Sequence, residues 1–287
     1  MGIQKKNGRY LSRETLLWTL ILFSGVFFFV CIKCIPTANT DGTALLRATS
    51  MILSLCMPAL LYAKVEEKNG GSDGLPKPNL RRTLLFAVCA FFFGAFAATI
   101  AVDALQAPPI FASFLLPTEI SVMSLLSLLV FAFASVIFPY GLFASFAIGE
   151  GYFSCLFPLC CLYAALFFQS TSAPLLLIFG LVLALLRLQS GAFFPVLLAN
   201  SLFLFGGYGV AVGLFSFDRF GALPMWAFLL ITGVAFLVSL AFAIDFRAIR
   251  VVYGMRKRAP KHFFMRFILI SVAFLLVSIL FATVFAI

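Results

Sequence analysis

Histidine is almost missing from this chain: His262 is the single example in 287 residues. A zinc site of several imidazoles, or a Ser-His-Asp triad placed away from that one position, therefore has no material to be built from. Acidic side chains are scarce as well, ten in all. Asp103, Glu119, Glu150, Asp218 and Asp245 fall near the ends of apolar runs, so the runs offer no carboxylate pair to activate water. No Gly-x-x-x-x-Gly-Lys-Ser/Thr loop is present to cradle a nucleotide phosphate, which removes ATP hydrolysis by this chain alone. Charged residues make up only 10% of the sequence, too few for a water-facing surface over a chain of this size.

What the chain has instead is apolar mass: 63% hydrophobic residues, 38 phenylalanines and a mean hydropathy of +1.14. Lipid is the solvent such a composition fits. A helix crossing a hydrocarbon layer about 30 Å thick needs roughly 20 apolar residues. Nine runs meet or approach that length: 15–32, 46–63, 83–102, 120–147, 152–168, 173–189, 192–214, 223–244 and 267–286. Spanning β-strands would alternate in polarity, whereas stretches such as 83–102 and 225–244 are apolar on every face. The expected fold is an all-α, polytopic transmembrane helical bundle of about nine spans.

The net charge of +10 could point to nucleic acid, but its placement points to a membrane. With the N-terminus in the cytoplasm, seventeen of the twenty lysines and arginines face the cytoplasm, and only Lys33, Arg47 and Arg219 lie outside. The positive-inside rule selects that orientation and, for nine spans, an external C-terminus. Residues 5–32 have the basic start and apolar run of a secretory signal without a small-residue cleavage site, so a retained signal anchor is expected. A bacterial inner (plasma) membrane is the expected location.

Four segments follow: a basic start with a two-helix hairpin, 1–63; a cytoplasmic linker, 64–82, whose glycines and prolines break helices; a transmembrane core, 83–246; and a basic cytoplasmic loop with the last span, 247–287. In that loop Arg256, Lys257, Arg258, Lys261 and Arg266 suit anionic lipid headgroups, each basic residue contributing about 1 kcal/mol near such a surface.

Seven cysteines, an odd number lying mostly within spans, make no disulfide framework, and neither cofactor nor metal is expected. Cys31 and Cys34 have Cys-x-x-Cys spacing, but a cysteine in a span is ordinarily a small apolar residue. Gly209 and Gly213 form a Gly-x-x-x-Gly pattern, with Gly206 and Gly207 a turn earlier, and predict close helix packing. The phenylalanines suit lipid-facing helix surfaces. Asn200 stands out, because it lies among apolar neighbours inside a span and must find a hydrogen-bond partner. Ser201, Tyr140, Ser135 and Gln169 are the candidates.

The stretch Arg187-Leu188-Gln189-Ser190-Gly191, followed by an apolar helix with Pro195 that reaches Asn200, resembles the late region of the CAAX-protease and bacteriocin-processing (CPBP) family of intramembrane proteins. By that resemblance Asn200 occupies a histidine position of the family site and Leu204 the asparagine of its His-x-x-x-Asn pattern. Residues 134–142 resemble the family's Glu-Glu-x-x-x-Arg-Gly helix, with Ser135 and Val136 in place of the glutamates and Tyr140 in place of the arginine. Tyr163 to Phe167 fall on the Phe-x-x-x-His pattern, again without the histidine. The resemblance covers residues 120–210 and implies a protease-like scaffold without protease chemistry, holding a membrane protein, a peptide or a lipid. A transporter or permease subunit is the alternative, suggested by the number of spans and by helices that Pro139, Pro158 and Pro195 are expected to break. An active intramembrane protease ranks last.

Overall fold

The computed structural model describes residues 19–28, 30–31, 41–60, 79–101, 122–141, 156–167, 172–190, 192–213, 224–245 and 261–284. Among these residues there is no β-strand. The helices are α1 (Thr19–Phe28), α2 (Asp41–Met51), α3 (Leu80–Thr99), α4 (Val122–Gly141), α5 (Leu156–Ala165), α6 (Ala173–Ser190), α7 (Phe193–Ala211), α8 (Met225–Ala243) and α9 (Lys261–Val284). Each lies on one of the apolar runs. Four of them, α3, α6, α7 and α8, are long and apolar enough to cross a membrane, which marks a helical membrane protein.

Helix starts follow local chemistry. Asn79 has an extended backbone and its side chain accepts the Arg81 amide at 3.1 Å, so α3 begins inside the segment predicted as linker. Within the described residues α9 runs from Lys261, ahead of the predicted 267. Pro195 stands third in α7, after Ala192 at its N-cap, where the missing N–H has no intrahelical partner to lose. Pro158 lies in α5 and Pro139 inside α4, each close to the edge of the described residues. The local departure lies elsewhere. Residues Ile52–Cys56 widen into a π-turn just before buried Pro58, and the Met57 amide reaches back to the Ile52 carbonyl. That widening absorbs the ring of a proline within a continuing helix.

α3 is the central packing element, flanked by α7 and α8 and touching α6, while α5 joins α4, α6 and α9. The α3–α7 crossing is close because of two glycines. A Cβ on Gly94 would come within 2.1 Å of the Phe203 carbonyl oxygen, and one on Gly206 within 2.4 Å of the Phe91 carbonyl oxygen. Gly206, one of the four α7 glycines from which close packing is expected, therefore sets the approach together with Gly94. Gly213 instead ends α7, at φ 71° with nothing near its Cβ position.

Phenylalanine is used inward as well as on exposed helix surfaces. Phe93 of α3, Phe179 of α6 and Phe203 of α7 form a stack, with Phe179 and Phe203 centroids 3.9 Å apart, and Phe236 of α8 lies 4.5 Å from Phe93. Flat rings fill the space that the glycines open. Cys56, Cys89, Cys160 and Cys161 are buried free thiols, and Cys89 Sγ donates to the Phe236 carbonyl at 3.6 Å, tying α3 to α8. Cys34 of the Cys-x-x-Cys pair lies outside the described residues.

Candidate functional site

Three elements bring polar side chains to one buried point. α4 supplies Ser135 and the Ala132 carbonyl, α5 supplies Tyr163, and α7 supplies Asn200; the three side chains are fully buried. The Asn200 amide nitrogen donates to the Ala132 carbonyl at 2.8 Å and to Ser135 Oγ at 3.0 Å. Its Oδ1 accepts the Tyr163 hydroxyl at 2.7 Å. The orientation of the amide is fixed by chemistry, since a backbone carbonyl can only accept and so must face the NH2. Ser135 Oγ also lies 3.4 Å from the Ala132 carbonyl, to which it donates. Both amide N–H groups and both hydroxyls thus have partners within the protein, which matters most where no water replaces a lost bond.

Aromatic rings wall this point. Phe167 lies 5.1 Å, centroid to centroid, from both Tyr163 and Phe131. Tyr140 lies 6.0 Å from Tyr163 and donates its hydroxyl to the Gly180 carbonyl at 2.7 Å, in the middle of α6. Val136 and Leu204 are fully buried and apolar. Of the seven positions singled out by the resemblance, Ser135, Tyr163 and Asn200 meet through hydrogen bonds, Tyr140 and Phe167 pack their rings on Tyr163, and Val136 and Leu204 contribute only apolar bulk. Among the described residues no group of His, Cys, Asp and Glu side chains is arranged to hold a metal.

The predicted partners of Asn200 divide. Ser135 is one. Ser201 instead donates to the Leu197 carbonyl of its own helix at 2.9 Å, Tyr140 bonds to α6, and Gln169 lies outside the described residues. Tyr163 was not among the expected partners, although its place in the Phe-x-x-x-His pattern, one helix away from Asn200, was the signal that could have named it.

A second polar constellation closes one end of the bundle. Arg82 at the start of α3 forms an ion pair with Asp245, just past α8. Gln189, in the last turn of α6, donates to the Ala243 carbonyl at 3.1 Å and accepts the Asp245 amide at 3.0 Å. Buried Arg187 donates from Nε to the Tyr140 carbonyl at 3.4 Å, placing a cation at the carbonyl end of α4. The start of α3 and the ends of α4, α6 and α8 therefore share one face of the bundle, as alternating up and down helices require. Asp245 lies at the end of its apolar run, as expected, with 26% of its side chain exposed, and it is paired because its helix ends against the first turn of α3. At the other end Ser278 of α9 donates to the Ala165 carbonyl at 2.6 Å.

Of the residues assigned to headgroups, Arg256, Lys257 and Arg258 lie outside the described residues, and Lys261 and Arg266 fall on α9, with their side chains outside the described set. Arg47, expected outside the membrane, is buried along α2.

Comparison of the chain with protein-family models, with curated proteins and with solved structures finds no match.

Proposed function

We propose that this protein is a non-catalytic, multi-pass membrane scaffold of CPBP-like build, a pseudoprotease that holds a membrane protein, a peptide or a lipid. The carrying observation is the meeting of Ser135, Tyr163 and Asn200, from three helices, in a buried cluster whose polar hydrogens are all donated within the protein. These are positions where the resemblance implies a catalytic centre, and here they carry an amide and two hydroxyls where hydrolysis needs a carboxylate, an imidazole or a metal-bound water. Such a cluster locks helices together. It does not activate water.

The same reading takes the nine helices as spans, with the N-terminus in the cytoplasm of a bacterial inner membrane. It is supported by the basic residues Arg82 and Arg187 lying at the bundle end that the positive-inside rule assigns to the cytoplasm. Crosslinking in native membranes, followed by identification of bound protein and lipid, is expected to recover one reproducible partner from wild-type protein. Cleavage of a transmembrane or prenylated peptide by purified protein, lost on Glu150→Gln or Glu119→Gln, contradicts the proposal.

A further inference from the structure

The start of α3 and the end of α8 enclose a cleft of about 340 Å³ lined by Asn79, Arg81, Arg82, Leu85 and Phe242. Its walls differ in kind. Arg81 and Arg82 bring two cations to it and Leu85 and Phe242 an apolar wall, beside which Phe242 is 73% exposed and Leu84 51% exposed. The cleft thus joins a cationic rim to an apolar furrow.

We propose that this cleft binds one anionic phospholipid, its phosphate between Arg81 and Arg82 and an acyl chain along Leu85 and Phe242. The Asp245 carboxylate pairs with Arg82 and holds that guanidinium in place. A guanidinium carries five N–H donors in a planar fork and a carboxylate engages at most two of them, so Arg82 keeps donors for a phosphate oxygen. Arg81 is exposed, forms no ion pair among the described residues, and adds a second cation to the cleft. The N-terminal amides of α3 are not the reason for the proposal, because Asn79 already caps the Arg81 amide. A free phosphate would use the rim alone and leave the apolar furrow without a role. The proposal does not depend on the scaffold reading.

The test uses the full chain in phosphatidylcholine nanodiscs containing a small fraction of photo-crosslinkable phosphatidylglycerol, with the crosslinked peptides mapped. Crosslinks are expected at the start of α3 and the end of α8, falling about fivefold with Arg81→Gln, the effect of one headgroup-facing cation. Arg81→Gln leaves the helical signal and the unfolding midpoint unchanged, since its side chain bears on no packing. Phe242→Ala gives a smaller loss with the rim intact. Displacement by millimolar glycerol phosphate as complete as by unlabelled phosphatidylglycerol overturns the lipid assignment, leaving a phosphate site. Crosslinking that ignores both variants and falls only when Arg256, Lys257 and Arg258 become Gln overturns the cleft altogether.

Discussion

α6 and α8 are both long apolar helices, yet the bundle uses them in opposite ways. Over their most apolar windows α8 has the higher mean hydropathy, 2.3 against 1.9, but only 11% of its window is buried inside the protein against 67% for α6. In water the more apolar helix would be the more buried one. In lipid that ordering fails, because hydrocarbon solvates leucine as well as another helix does. What separates the two is polar side chains that reach other helices. α6 carries Arg187 and Gln189, bonded to the Tyr140 and Ala243 carbonyls, whereas α8 presents Leu230, Ile231, Val234, Leu237 and Val238 outward.

The comparison is broken hardest at the glycines of the interior. Gly94→Val forces a branched side chain onto the Phe203 carbonyl, which is backbone and cannot swing away. A loss of about 3 kcal/mol or more, or failure to accumulate folded protein, is expected in unfolding measurements in mild detergent. Asn200→Leu comes next. It leaves the Tyr163 hydroxyl and the Ala132 carbonyl without their present partner, and about 1 to 2 kcal/mol should disappear from the same measurement. Least affected is the outer helix, where Leu237 is 62% exposed; Leu237→Ala should change stability by less than about 0.5 kcal/mol. A large effect there would mean that α8 is covered by something other than lipid.

This contrast also explains which features were legible from the sequence. The apolar runs located every described helix, since an uninterrupted stretch has few other uses in a chain this poor in charge. Asn200 was legible as a residue needing a partner, and Ser135 as one candidate. Tyr163 was missed because a tyrosine between apolar neighbours looks like core, and only the crossing of α5 past α7 turns its hydroxyl toward the amide. Close packing of α7 was legible from its glycines, Gly206 among them, because their spacing is visible within one helix. The partner glycine, Gly94, comes from another helix, and spacing within one helix carries no record of which neighbour it faces. The partner of Asp245 was hidden for the same reason: Arg82 lies far away in sequence and meets it only once α3 and α8 pack side by side.

The account rests on the buried cluster being a lock between helices, and a double-mutant cycle on Tyr163→Phe and Asn200→Leu reads that directly. Unfolding free energies of wild type, both single variants and the double variant should give a coupling of about 1 kcal/mol, with each single variant destabilised and no chemical activity lost. Additive losses with no coupling, or variants as stable as wild type that instead lose a measurable peptide-cleaving activity, would contradict it.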